Sequence, residues 1–298
     1  MPAQPLSLSI DKFLKYQENV KSASPHTLRA YRLDLAQAFD HEKKTNWTEA
    51  KLKEWIHLAQ MRWGRLGPAT RNRKAATLKS FLGFLFDQGW IESDMALLIH
   101  CPRVPRKIPH FISLDEVMAV LQSFIRDPNE SELLLFLLLY GSGLRVSEAC
   151  ALNWSTLELS SRVARVIGKG GQQRVIVLQP SAIQILHRRR QQKTSEDMGS
   201  IWGGQDLPTR KAYDWIRNRG AKAGLLSPLH PHALRHSFAT HMLSSGANLR
   251  TLQELLGHKN LTATERYTHL GTDHLARVLE THHPLGSGDL PNMKRLKS

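Results

Sequence analysis

Six side chains in the C-terminal part of the chain are of the types needed to break a phosphodiester without a metal ion: Arg145, Lys169, His232, Arg235, His258 and Tyr267. Such a cleavage needs a nucleophile in line with the leaving group. It also needs positive charge on the phosphoryl oxygens and a proton for the departing 5′ oxygen. A guanidinium is always charged and grips two oxygens at once, so Arg145 and Arg235 suit a phosphate clamp. Arg145 follows the glycine turn Gly141-Ser142-Gly143, and Arg235 lies three residues after His232, so that pair shares one face of a helix. Lys169 is the long polar side chain in Gly168-Lys169-Gly170-Gly171, a loop tip from which it can reach over a substrate and protonate a leaving hydroxyl. Tyr267 lies nine positions after His258. Its oxygen can attack phosphorus and leave the protein joined to nucleic acid. An ordinary phenol has a pKa of about 10, so neighbouring cations or a general base would have to activate it.

Taken singly, each of these residues has a plainer reading. An arginine is usually half of a surface ion pair, a turn lysine is usually solvated, and a tyrosine is usually half-buried core. A histidine metal site is the rival for His230, His232, His236 and His241. Pro231 interrupts the His-x-His pair, and neither a His-Glu-x-x-His pattern nor a cysteine partner is present, so neither metal nor cofactor is expected.

The elements that must position these groups follow from periodicity. Apolar faces at Ile10/Phe13/Leu14, Leu28/Tyr31/Leu35/Phe39, Leu52/Trp55/Ile56/Ala59 and Ala75/Leu78/Leu82/Leu85 predict a bundle of helices over the first hundred residues. Ser24-Pro25 and Thr48 are start signals, and Gly67-Pro68 breaks the chain before the fourth helix. That helix opens on a basic cluster, Arg71, Arg73, Lys74 and Lys79, expected to lie on DNA phosphates. Cys101 to Pro109 is a proline-rich linker whose Arg103, Arg106 and Lys107 suit a segment crossing a phosphate backbone. Ser113-x-x-Glu116 is a capping box that opens the second domain. Two β-like runs, 162–167 and 174–178, flank the Lys169 tip as a hairpin. Helices are expected near 181–192, 208–222, 232–244, 248–256 and 262–269, the last capped by Thr262/Glu265 and carrying Tyr267. The expected fold is therefore mainly α with a small β-sheet. Its parts are a helical DNA-binding domain (1–100), a linker (101–110), a catalytic domain (111–285) and a disordered tail (286–298).

Composition narrows the partner. Lys and Arg number 41 against 26 Asp and Glu, a formal charge of +15 and a pI near 10.1, which favours a polyanion such as nucleic acid. Two distant cysteines, Cys101 and Cys150, exclude a disulfide framework and fit a reducing compartment. No secretory leader is evident, and the longest apolar run, Leu133 to Leu139, is too short to span a membrane. A cytoplasmic protein without membrane insertion is expected.

Four segments in order, YGSGLRVSEACALNW, GKGGQQR, HPHALRHSFATHML and LLGHKNLTATERYTHL, resemble the tyrosine site-specific recombinases of the phage-integrase superfamily, nearest their Xer branch. The resemblance runs from about residue 8 to 284. It implies that Tyr267 attacks the scissile phosphate to give a 3′-phosphotyrosyl link. Arg145, Arg235 and His258 would hold the phosphoryl oxygens, His232 would exchange a proton with the tyrosine, Lys169 would protonate the 5′ oxygen, and Glu148 would order the pocket. It further implies a C-shaped clamp on a dif-like duplex site and a homo- or hetero-tetramer with a second Xer-type recombinase. Strand exchange would pass through a Holliday junction, with a translocase of the FtsK type as activator and resolution of chromosome dimers as the task. Residues 274–281 look like a C-terminal helix that docks on a neighbouring subunit. The sequence departs from the family pattern in three places: Gln172 and Gln173 stand where a further basic residue is common, Arg266 precedes the tyrosine, and no arginine follows His283-Pro284. Rival readings are a mobile-element integrase, a silent DNA-binding accessory protein and a type IB topoisomerase.

Overall fold

The computed structural model describes residues 5–39, 45–104, 111–168, 173–192, 199–256 and 269–286, with side chains left out at 269–272. The chain divides into two compact units, Met1–Lys107 and Ile108–Ser298.

The first unit is built from α1 (Leu6–Asn19), α2 (Pro25–Ala38), α3 (Glu49–Arg62) and α4 (Pro68–Asp87). The expected caps are present. The Ser24 side chain accepts from the Thr27 N–H at 3.2 Å, and Thr48 accepts from the Lys51 N–H at 3.3 Å. Pro68 occupies the first position of α4, where its missing N–H is not needed. The apolar faces meet in one core of Phe13, Leu35, Phe39, Leu52, Ile56, Leu78, Phe81, Leu82 and Leu85.

One prediction fails in this unit. Lys74 does not face outward: its side chain is 5% exposed and its ammonium donates to the buried carboxylate of Asp34 at 3.0 Å. It also donates to Gln37 and lies 5.3 Å from the centre of the Trp63 ring. Asp34 further accepts from Thr77 at 3.1 Å and from Arg73. Helical periodicity explains the inversion. Lys74 lies four residues before the buried Leu78 and seven before Phe81, so it falls on the apolar stripe of α4. A basic run that covers a whole turn cannot be solvated on every side.

The second unit opens with α5 (Leu114–Arg126), whose capping box is complete: Ser113 and Glu116 each accept the other's backbone N–H. Next come α6 (Glu130–Phe136) and a π-helical turn (Leu137–Gly141), buried throughout. Then follow α7 (Val146–Cys150), strands β1 (Leu157–Glu158), β2 (Val163–Ile167) and β3 (Gln173–Val177), α8 (Pro180–Gln191), α9 (Thr209–Lys222), α10 (Pro231–Ser244), α11 (Leu249–Leu256) and α12 (His269–His282). The strands form an antiparallel sheet in the order β1-β2-β3. Ile167 pairs with Gln173, which closes the expected hairpin on either side of the Lys169 segment. Two-residue β1 was not foreseen, because a strand that short carries no alternation.

Buried polar groups lock the helices together. Arg219 is fully buried, lies 4.2 Å from the centre of the Phe124 ring and donates to Glu132 at 2.9 Å and to the Asp127 carbonyl at 2.9 Å. The Tyr140 hydroxyl lies 2.9 Å from His241 Nδ1, joining the π turn to α10. His283 reaches the Tyr140 carbonyl at 3.1 Å, and burial pushes its pKa down to about 4, so the ring stays neutral. Helix α12 packs on its own unit, with Leu275, Ala276, Leu279 and Leu285 in the common core. The face of the helix bearing Asp273, His274 and Arg277 stays exposed.

The turn before Arg145 depends on glycine. Gly143 has φ +64°, and a Cβ there would lie 2.8 Å from the Phe238 ring and 3.1 Å from Leu256. Replacement by alanine combines left-handed strain with overpacking, and Gly143→Ala should cost about 2–6 kcal/mol, read as a lowered denaturant midpoint. Lys74→Met should cost roughly 3–5 kcal/mol, because Asp34 loses a buried cation, whereas Lys79→Met should stay within about 0.5 kcal/mol. Equal thermal midpoints for the two lysine variants would contradict the buried placement of Lys74.

Candidate active site

The pocket is assembled from three separate parts of the second unit. The first is the turn after the π-helical segment. The π turn and Gly143 bring the chain sharply round, with the Leu144 N–H donating to the Leu138 carbonyl at 3.1 Å. Arg145 then sits at the N-terminal edge of α7. Glu148, at the third position of that short helix, reaches back to accept the Arg145 backbone N–H at 2.8 Å. This is the glutamate half of a capping box, since an arginine side chain has no acceptor to offer in return. The same carboxylate accepts from the Arg145 guanidinium at 2.9 Å.

The second part is β3. Arg174, near its start, donates to Glu148 at 2.7 Å. Sequence reasoning missed this residue. The available signal was strand alternation: Arg174 lies two residues before the buried Ile176, hence on the same face of the strand, where an arginine needs a partner.

The third part is α10. Arg235 donates to the Gly143 carbonyl and, at 2.9 Å, to the carbonyl of Leu256 at the end of α11. One guanidinium therefore ties the glycine turn to the residue from which the chain enters the His258–Tyr267 segment. Burial, and then the nearby guanidiniums of Arg145 and Arg174, lower the Arg235 pKa to about 10, with Glu148 opposing them. It stays charged at neutral pH. Three guanidiniums against one carboxylate leave this pocket with two net positive charges, a fitting environment for a phosphodiester and for the further negative charge of its transition state.

His232 is exposed, one turn before Arg235 on α10. The neighbouring histidines diverge from it: His236 packs edge-on against Phe111 with ring centres 6.3 Å apart, and His241 turns inward to Tyr140. Among the described residues no three potential ligands gather as a metal site. Lys169, His258 and Tyr267 lie outside the described residues, as does the capping box at Thr262/Glu265.

Of the basic residues expected on DNA in the first unit, Arg73 is exposed but shared with Asp34, Arg71 and Lys79 are half-buried, and Arg103 is exposed. Arg106 and Lys107 lie outside the described residues. Cys150 is buried, and burial pushes its thiol up to about 11. Among the described residues no helix is long and apolar enough to cross a membrane.

Comparison with known proteins identifies the family. Residues 110–274 match the phage integrase family, and residues 10–89 match the phage integrase N-terminal SAM-like domain. The tyrosine recombinase XerC of Xanthomonas axonopodis is 34% identical over 93% of this chain and 96% of its own length. XerC of Proteus mirabilis is 36% identical over 94% of each chain. Among solved structures, the fold is similar to that of the integrase of mycobacterium phage Brujita (TM-score 0.52, 23% identity, 97% of this chain and 96% of that one). It is also similar to that of lambda integrase, solved as a tetramer on a Holliday junction (TM-score 0.67, 18% identity, 89% and 80%). The chain belongs to the phage integrase family of tyrosine recombinases, in its XerC-like branch, and its activity is site-specific recombination by cutting and rejoining DNA.

Proposed function

We propose that this recombinase works through a 3′-phosphotyrosyl intermediate formed by Tyr267. The Tyr267 oxygen bonds to phosphorus, the bond from phosphorus to the 5′ oxygen breaks, His232 takes the phenolic proton and Lys169 supplies one to the 5′ oxygen. Arg145, Arg235 and His258 hold the phosphoryl oxygens. The covalent link conserves the energy of the broken bond, so rejoining by the reverse attack needs no ATP. The observation that best supports this reading is the convergence of Arg145, Arg174 and Arg235 around Glu148, which gathers positive charge.

The wider setting is the one that the resemblance to Xer-type recombinases implies. The chain binds a duplex dif-like site, with Arg71, Lys79 and Arg103 on phosphates. Four subunits, of this chain alone or with a second Xer-type recombinase, exchange strands through a Holliday junction in the cytoplasm. A translocase of the FtsK type activates them, and chromosome dimers are the substrate. The 34–36% identity to XerC proteins over nearly the whole chain supports this assignment.

A DNA substrate nicked beside the cleavage point traps the covalent intermediate, because the released fragment diffuses away. Wild type should be trapped and Tyr267→Phe should not; equal trapping by the variant would remove Tyr267 as nucleophile. Lys169→Ala should slow cleavage of the normal substrate by about 10²–10⁴-fold, the range for a lost general acid. A 5′-thio leaving group, which departs without protonation, should restore the rate. Absence of that rescue would assign the proton to another group.

A further inference from the structure

We infer that Arg174 is a positioning residue for strand cleavage: by occupying one oxygen of Glu148 it holds Arg145 in a single-contact geometry that leaves the rest of its guanidinium for the phosphoryl oxygens. The inference rests on the proposed role of Arg145 as a phosphate ligand.

The contacts of Glu148 are divided. Its Oε1 accepts from Arg145 Nη1 at 2.9 Å. Its Oε2 accepts from the Arg145 backbone N–H at 2.8 Å and from Arg174 Nη2 at 2.7 Å. An arginine next to a carboxylate favours the parallel two-bond pair, which uses both carboxylate oxygens. Arg174 stands on the second oxygen and blocks that pairing. Exposure follows the same order: the side chain of Glu148 is 3% exposed, that of Arg174 11% and that of Arg145 36%. Two buried groups thus form a backing, and the group in front of them is the one open to a substrate. Without Arg174 the buried carboxylate would keep one cation instead of two and would draw Arg145 inward. Arg174 also belongs to β3, so the backing connects the hairpin to the glycine turn, two parts of the fold that are 29 residues apart (174 − 145).

The test uses the full chain, the nicked DNA substrate and single-turnover cleavage, with DNA affinity and thermal midpoint measured in parallel. Arg174→Met should slow cleavage by about 10–100-fold, the usual effect of losing a residue that orients an active-site group. DNA affinity should be nearly unchanged. Arg174→Lys keeps the charge and one donor, and should recover part of the rate. The double variant Arg174→Met/Glu148→Gln should be no slower than Glu148→Gln alone, because both act through one carboxylate. Wild-type cleavage by Arg174→Met, or a double variant slowed by the product of the single effects, would overturn the inference. If Arg174→Met fails to fold while Arg174→Lys cleaves like wild type, the residue serves stability alone and the inference is equally overturned. A wild-type chain that traps no DNA would overturn the recombination mechanism and this role with it, whereas normal trapping with an insensitive Arg174 would remove only this role.

Discussion

Like charges held close together in a partly buried pocket repel one another, and the catalytic unit is arranged around that constraint. Burial depresses the pKa of Arg235, and Arg145 and Arg174 come near enough to depress it further. Glu148 is the counter-charge, with contacts to Arg145 and Arg174. Arg235 is held differently, by the carbonyls of Gly143 and Leu256, which accept its protons without cancelling its charge. The result is a net positive pocket whose members are all oriented before any phosphate arrives, the condition under which electrostatic stabilisation is most effective.

Much of the surrounding fold serves this arrangement. The π turn and the positive φ of Gly143 bring the chain round so that Arg145 opens α7 and Glu148 can reach back to it. The hairpin delivers Arg174 from one side and α10 delivers Arg235 from another. Arg235 also anchors Leu256, so the placement of the pocket and the entry to the His258–Tyr267 segment share one side chain. A buried layer of Arg219, Glu132, Tyr140, His241 and His283 stiffens the helices behind. Each buried polar group there has a partner, as burial requires.

The first unit follows the same rule in a setting without catalysis. Asp34 is buried on α2 and is balanced by Lys74, Arg73 and Thr77 of α4. An ion pair of this kind contributes little net stability relative to apolar packing, yet losing one partner is costly. It pins α2 to α4 at one register and removes one cation from those available to DNA.

Local structure was legible because it depends on near neighbours. Ser24, Thr48 and Ser113 cap helices where their positions indicate, and the two runs flanking the glycine-rich tip pair as a hairpin. The motifs around Arg145, His232 and Arg235, taken together, pointed to the recombinase family that the comparisons show. Three features were not legible. Lys74 reads as one more surface cation until α2 places Asp34 against it, 40 residues away. Arg174 reads as a strand residue until α7 presents Glu148. The two-residue strand β1 exists only because β2 lies beside it. The sequence by itself determined the helices and hairpin of the described residues and the basic character, and it nominated a set of reactive groups. Which cations face a partner and which are neutralised inside was decided only by tertiary structure, because a charge's role is set by what lies within a few ångströms of it, and those neighbours come from distant parts of the chain.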